Sequence, residues 1–500
     1  MITSITPEAL HDTAEMLSAN GRHPLTAMFG RDETESGVGY TIYCVFENID
    51  ERRMDVVKVV FDPNGHLEYD SITPIVPAAA WYEREIRDMF GLDPKGHPDK
   101  RPLVLHESFP EGFYPLRKVI PKNYNARGNR DFKIRTAKGE GLFEVPVGPI
   151  HAGIIEPGHF RFSQAGEAML QLDAKLFFTH RGIEKAVEGK TPYEAMHIVE
   201  RICGACSIAN TWSFCQAVEM ALEIKVPRKA EIIRTLLMEL ERVVNHVGDL
   251  GNMPAGVGFN PAISLGGRLK EQATRLCEAV AGNRFLRGVI VPGGVCQDVT
   301  PELIAKIREV MTGVSAGVMD LKDMFDEQES FQNRINTTGI VRRKTAIDLA
   351  MVGVGARASG FAHDSRQDFD YGVYRELDYK IAVQETGDVA ARLQERIDEL
   401  AVSFRIIEQL LDMLEECKDN SLKADVTFGK GEGWGISESA RGSNFHYAVL
   451  DEEGRIDRLF VRSASYPNWP ALTIAVQGDI IPDFPLINKS FELCYACIDR

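Results

Sequence analysis

The chain has 500 residues, 44% of them hydrophobic and 26% charged, an ordinary globular composition with room for two to four domains. Its 57 basic and 73 acidic residues leave a net charge of −16, which disfavours binding to nucleic acid or to anionic lipid, because such a surface repels polyanions. No stretch reaches about 18 consecutive apolar residues and the N-terminus lacks a signal-peptide pattern, so the expectation is a soluble, cytoplasmic protein that meets any membrane through partners.

In chain order, a helix-prone stretch is followed by residues 38–76, VGYTIYCVFENIDERRMDVVKVVFDPNGHLEYDSITPIV, where β-branched alternation is broken by the turn sequences NID and DPNGH. This predicts strands paired into a small sheet, within a compact α+β domain over residues 1–118. Residues 117–138 then hold eight Lys or Arg against one Asp, with little apolar content. A basic linker over 119–142 follows, readable as a solvated connector or as an arm lying on an acidic partner. Beyond residue 143 the period changes. PRKAEIIRTLLMELERVVNHVGDL (227–250) and DVAARLQERIDELAVSFRIIEQLLDMLEEC (388–417) keep a 3.6-residue apolar rhythm, the first behind a Pro suited to a first helical turn. They predict long amphipathic helices in a mainly α-helical domain spanning 143–500, so the fold class expected is α+β in two unequal domains. GVGARASG (353–360) superficially matches a dinucleotide loop, but no convincing strand leads into it and its spacing is wrong.

Nine cysteines in a chain without an export signal argue for reduced thiols rather than a disulfide framework. Four of them form two Cys-x-x-Cys pairs, Cys203/Cys206 and Cys494/Cys497, where random placement gives about 0.16 such pairs. Two intervening residues let both sulfurs converge on one metal from a tight turn, a spacing shared by zinc, iron-sulfur and nickel sites and by disulfide-exchange pairs. Spacing alone leaves these open. The other five, Cys44, Cys215, Cys277, Cys296 and Cys417, are isolated and read as small apolar core residues.

The flanking residues narrow the choice. RICGAC (201–206) and the terminal CYACIDR (494–500) resemble the two nickel-binding motifs, R-x-C-G-x-C and C-x-x-C-x-x-H or R, of the large subunit of [NiFe]-hydrogenases. EPGHFRF (156–162), HRGIEK (180–185) and SARGSNFHY (439–447) look like that family's E-G-H, R-G-x-E and R-G-x-x-x-H segments, in the family's order. WYEREIRDMFGLDPKGHPDKRPLVL (81–105) with YPLRK (114–118) is similar to the 30 kDa subunit of respiratory complex I. A 30 kDa-like domain fused to a hydrogenase large-subunit, or complex I 49 kDa-like, domain is the arrangement of the hydrogenase subunit of formate hydrogenlyase, in the energy-converting, membrane-associated group 4.

The resemblance implies reversible reduction of protons to H2 at a Ni-Fe centre whose iron carries carbon monoxide and cyanide. By motif match, Cys203 and Cys494 are terminal nickel ligands and Cys206 and Cys497 bridge nickel to iron. Glu156 matches the proton-relay glutamate, with a raised pKa in a low-dielectric pocket as its expected setting. Its alternative is a structural pairing with His159. Arg441 matches the arginine over the open metal face. Glu184 matches the residue that binds a second metal with a C-terminal His in many relatives. Arg500 stands at that His position here and cannot ligate, so a Glu184–Arg500 ion pair is expected over a magnesium site. Two departures bear on activity: Asn210 replaces a His expected to bond a bridging thiolate, and Glu492-Leu493 replaces Asp-Pro before Cys494.

The partners implied are a small subunit with a proximal [4Fe-4S] cluster, ferredoxin-like iron-sulfur subunits, an ion-translocating membrane arm, and a formate or carbon monoxide dehydrogenase module as electron source. The place implied is the cytoplasmic face of the membrane, held peripherally. A competing reading is a quinone-site or coupling subunit of the complex I superfamily without hydrogenase activity, whose complex I counterpart lacks these cysteines. A structural zinc protein is the third, and it leaves Glu156, Glu184 and Arg441 unexplained.

Overall fold

The computed structural model describes residues 2–19, 21–122, 124, 127–129, 132–151 and 155–500. The alternating stretch near the N-terminus forms antiparallel strands Gly39–Asn48 and Arg53–Phe61; strand Leu25–Glu33, in the residues before it that read as helix-prone, pairs antiparallel with the first, and Ile2–Ile5 adds in parallel beside Arg53–Phe61. The spatial order is 2–5, 53–61, 39–48, 25–33, so Gly39–Asn48 lies inside the sheet and is buried along its whole length. Helix Ala79–Phe90 packs on strand Leu25–Glu33 and stops at Gly91, whose left-handed φ of 74° lets its N–H bond the carbonyl of Arg87.

Four long helices, Arg228–Asn252, Asn260–Ala281, Pro301–Glu327 and Val389–Glu416, pack each against the next and the last back on the first. Their starts follow the sequence: Thr300 and Asp388 cap the third and fourth through their side chains, and Pro301 takes a first-turn position where no N–H is needed.

The region after residue 143 is less purely helical than its sequence suggests, because its described residues include two three-stranded antiparallel sheets. One is Leu142–Val147, His159–Ala165 and Ala168–Lys175; the other is Gly431–Ser439, Gly442–Leu450 and Ile456–Arg462. The second sheet is a middle layer. One face meets the N-terminal sheet, where Phe29 stacks on Phe460 at 4.4 Å and Tyr43 meets Tyr447 at 5.4 Å. The other face lies on helix Ser207–Ala221, and here the strand GEGWG (431–435) is decisive. A Cβ on Gly431, Gly433 or Gly435 would come within 2.0, 2.4 or 2.0 Å of the carbonyl oxygens of Ala221, Ala217 and Ser213. Glycine at every second strand position thus matches every fourth helix position, and strand and helix pack backbone to backbone.

The basic segment after residue 117 lies partly outside the described residues, at 123, 125, 126, 130 and 131. Two of its described cations fold back on this chain's own acids. Lys118 Nζ lies 3.1 Å from Asp457 and 3.4 Å from Glu188, and Arg135 lies 3.5 Å from Asp99. Of the isolated cysteines, Cys44, Cys215 and Cys277 are buried as expected of core residues. Cys296 is exposed, contrary to that expectation, and Cys417 is half-buried.

Candidate metal centre

Cys203 lies in the turn between helices Pro192–Val199 and Ser207–Ala221, and Cys206 is the residue just before the second helix. That places both thiols at a helix N-terminus, where the unpaired N–H groups favour negative charge. The carboxyl of Glu241 occupies the same end and accepts from the N–H groups of Ile208 at 2.7 Å and Ala209 at 3.1 Å. Burial pushes its pKa up to about 8 despite those bonds.

The second pair arrives on the C-terminal tail. Helix Phe484–Phe491 ends at Glu492, which takes a left-handed conformation (φ 50°, ψ 44°) and turns the chain inward. The Cys494 N–H donates to Ser465 Oγ at 3.0 Å, and the Trp469 indole N–H lies 3.4 Å from the Cys494 carbonyl. The HRGIEK segment, with Thr179 just before it, receives the last residues of the tail. Thr179 N–H donates to Asp499 Oδ2 at 2.8 Å, Arg181 Nη2 to the Ala496 carbonyl at 2.7 Å, and the N–H groups of Arg181 and Gly182 to the Arg500 carbonyl at 2.7 and 2.9 Å.

The result brings the two pairs together. Cys203 Sγ lies 3.5 Å from Cys494 Sγ, and the sulfurs of Cys203, Cys494 and Cys497 all lie within 4.8 Å of one another. Cys206 is also buried nearby, but its sulfur is not one of the three that lie within 4.8 Å of one another. Peptide N–H groups point at two of the sulfurs, Ala205 at Cys203 and Cys497 at Cys494, each at 3.4 Å. Hydrogen bonds from Cys206 and the tail thiols hold Cys203 well below the ordinary thiol range. Cys206, Cys494 and Cys497 are pushed up, Cys497 chiefly by burial and the other two chiefly by bonding to Cys203. A buried cluster of sulfurs from two distant parts of the chain, with backbone donors aimed at it, fits a soft thiophilic metal that displaces the thiol protons on binding.

Arg441 sits beside this cluster, in the turn between strands Gly431–Ser439 and Gly442–Leu450. Its Nε donates to the Glu492 carbonyl, Nη1 to Asn245 Oδ1 at 3.1 Å and Nη2 to Asp249 Oδ1 at 3.2 Å. Three anchors fix the guanidinium plane. Glu492 also accepts from Asn252 Nδ2 at 2.6 Å, and burial beside Asp249 raises it to about 7 against the opposing Arg441 charge. Glu241, Asn245 and Asp249, spaced four apart, thus line one side of the site from a single face of helix Arg228–Asn252. The sequence reading missed all three, and the helix buries other polar residues beside them, Arg242 and His246 among them, so the four-residue spacing alone did not mark them out. A cavity of about 410 Å³ opens next to them, lined by Gly204, Ala205, Glu241, Asn245, Lys270 and Arg284 among others.

Other expected residues differ in detail. Glu156 accepts from the Ala496 N–H at 2.6 Å, between the two tail cysteines, but is exposed rather than enclosed in a low-dielectric pocket. His159 does not pair with it; its Nδ1 bonds the Gly148 carbonyl at 3.1 Å. The Asn210 amide donates to the Cys206 carbonyl at 2.7 Å, not to a thiol. Glu184 is buried between two arginines, with Arg500 Nη1 at 3.0 Å and Arg458 Nη1 at 2.8 Å, so a guanidinium fills the place considered for magnesium.

No helix among the described residues is long and apolar enough to cross a membrane. Family models match in three parts: the 30 Kd subunit of respiratory-chain NADH dehydrogenase over residues 3–126, nickel-dependent hydrogenase over 181–249, and the 49 Kd subunit of respiratory-chain NADH dehydrogenase over 257–428 and 418–500. Formate hydrogenlyase subunit 5 of Escherichia coli (strain K12) is 33% identical over 484 residues, covering 95% of this chain and 84% of that one. The C/D subunit of NADH-quinone oxidoreductase from Bacteroides thetaiotaomicron is 28% identical over 531 residues, covering 100% and 99%. Among solved structures, a chain of the membrane-bound sulfane sulfur reductase, an archaeal respiratory membrane complex, superposes with a TM-score of 0.68 at 27% identity, covering 72% of this chain and 99% of that one. The chain belongs to the family that joins the complex I 30 and 49 kDa subunits with the large subunits of group 4 [NiFe]-hydrogenases, in the form where the 30 kDa-like and 49 kDa-like domains are fused.

Proposed function

We propose that this chain is the catalytic large subunit of a membrane-associated [NiFe]-hydrogenase that reduces protons to H2 reversibly, coupled to ion translocation by partner subunits. The observation that carries the reading is the convergence of the Cys203, Cys494 and Cys497 thiols, from two distant parts of the chain, beside the anchored Arg441. Cys203, Cys206, Cys494 and Cys497 would hold a Ni-Fe centre with carbon monoxide and cyanide on the iron. When bound, that group supplies the two-electron chemistry of H2, and the chain supplies the rest.

Arg441 presents a fixed positive charge and donors beside the thiols, where charge develops during turnover. Its salt link to Asp249 and its bond to the Glu492 carbonyl prevent it from swinging away. Glu156 is held by the Ala496 N–H at the loop between the tail cysteines, and its exposure lets it exchange protons directly with solvent or with a covering partner. Glu184 and Arg500 then act in placing the tail, without a second metal. Electrons would enter from a small subunit with a proximal [4Fe-4S] cluster, linked through ferredoxin-like subunits to a formate or carbon monoxide dehydrogenase module. The chain would sit on the cytoplasmic face of the membrane, attached through those partners.

The C/D relatives from NADH-quinone oxidoreductase favour a second reading, a quinone-site subunit without hydrogenase activity. The four thiols distinguish the two, since a site for a quinone has no use for a thiolate cluster. Elemental analysis of the purified complex, with infrared detection of metal-bound carbon monoxide and cyanide, decides the matter. One nickel per chain with those bands is expected. Zinc, or no metal, overturns the proposal.

A further inference from the structure

Glu85 lies in helix Ala79–Phe90, far in sequence from the cysteines, yet its carboxylate reaches the end of the tail: Oε2 is 2.6 Å from Arg500 Nη2 and accepts from Tyr466 O–H at 2.7 Å. Arg500 bridges Glu85 and Glu184, bonds the Val461 carbonyl, and lies over the rings of Tyr466 at 5.2 Å and Phe460 at 5.6 Å. All of it is buried: Glu85 is 7%, Glu184 5% and Arg500 3% exposed. With Arg458 bonded to Glu184, the cluster holds two carboxylates and two guanidinium groups and is neutral.

The charges show what depends on what. Glu184 keeps Arg458 when the tail is away, but Glu85 has Arg500 as its directly bonded cation among the described residues. Undocked, it is a carboxylate in apolar surroundings beside Tyr82 and Tyr466, a costly state that docking relieves. The four-residue helix Ala496–Asp499 is too short to hold itself. Its order comes from contacts, and Glu85 provides a charged one from the other domain.

We propose that Glu85 is a positioning residue for the Cys494–Cys497 half of the site, and that the N-terminal domain is the latch that closes on Arg500 and holds the tail in place. The proposal rests on the reading of those cysteines as metal ligands. It gives the fused domain a task in building the site, with a guanidinium bracketed by two carboxylates as the fastening.

The test uses the full-length chain, with hydrogen exchange of amides 494–500 measured before metal is added and nickel per chain measured in the assembled complex. Glu85→Gln should speed exchange of the tail by at least about tenfold and lower nickel several-fold. Arg500→Gln should do the same from the tail side, and the double variant should be no worse than Arg500→Gln alone. Val59→Ala, a cavity in the buried N-terminal sheet away from the latch, should leave tail exchange and nickel at the parent level. Parent-like exchange in Glu85→Gln, equal loosening by Val59→Ala, or additive losses in the double variant would each overturn the latch. If the parent complex lacks nickel, the metal reading fails, while the exchange measurement still decides the latch.

Discussion

Cys203 and Cys206 stand at the buried start of a fifteen-residue helix pressed backbone to backbone against a strand, whereas Cys494 and Cys497 stand on a tail fastened by side-chain hydrogen bonds and ion pairs. The first half is a template set by close packing, which tolerates no added volume. The second is a docked segment whose bonds to Thr179, Arg181, Glu184, Glu85 and Ser465 form together on arrival. The difference suggests an order of assembly, in which the helix-borne thiols wait in place and the tail closes the site. A metal bound by both would join residues 291 positions apart and tie the tail into the core.

The largest expected effect removes a sulfur from the docked half. Cys497→Ser should abolish hydrogen evolution and nickel retention, because an alkoxide is a poor replacement for a thiolate toward a soft metal. Nickel and activity retained near the parent level would refute the metal role of the tail. A smaller effect separates template from tail. Gly435→Ala drives a methyl group to 2.0 Å from the Ser213 carbonyl, where neither backbone can yield cheaply. It should cost about 1–3 kcal/mol, read as a lower urea midpoint, and leave hydrogen exchange of residues 494–500 unchanged. An unchanged midpoint would show that strand and helix are not packed in this register.

Much of this architecture could be read beforehand, for reasons that differ by region. The strands at 39–48 and 53–61 announced themselves through β-branched runs and turn residues, and the helices at 228–252 and 389–416 through a single apolar face. The sheet over 431–462 did not, because both of its faces are buried and one carries glycine, which erases the alternation that marks a half-exposed strand. The cysteine pairs were visible as spacing and became a specific site only through the motifs around them. Asn245 and Asp249 could not be assigned without the fold, since nothing in the sequence says that Arg441 lies across from them. Glu156 meets the tail at the Ala496 N–H and is exposed, where the motif match had carried the expectation of a pocket. Burial depends on which surfaces cover a residue, and its own segment carries no signal of that.

An effect of similar total size, but spread across a range of pH, lies on the template side, where the N-terminal domain makes a second buried ion pair. His363 Nε2 bonds Glu47 Oε2, while the His363 carbonyl accepts from Arg357 Nη1 at 2.9 Å, and Arg357 in turn bonds Glu438 on the glycine strand at 3.0 Å. Burial opposes charging of His363, but Glu47 outweighs it and raises the pKa to about 9, with Asp368 4.0 Å away and Glu438 adding to the effect. The imidazolium in turn holds Glu47 below the usual carboxylate range, although burial works against it. A raised histidine pKa contributes stability that is complete below the unfolded value of about 6.5 and is lost as pH rises through about 9, up to about 3 kcal/mol in all. Asp368, raised by burial to about 6, has ionised below most of that window. Glu241 and Glu395, each raised by burial to about 8, also lose stability with rising pH, so only a difference measurement isolates the histidine. The unfolding midpoint of the parent should therefore fall more steeply between pH 6.5 and 9 than that of His363→Gln, by the equivalent of one proton. Because Glu47 and His363 join the domain to the template and not to the tail, the protection of residues 494–500 relative to their intrinsic, base-catalysed exchange rates should stay level across the same range. Parallel pH slopes in the two proteins would mean that His363 is neutral in the fold and that Glu47 is paired some other way.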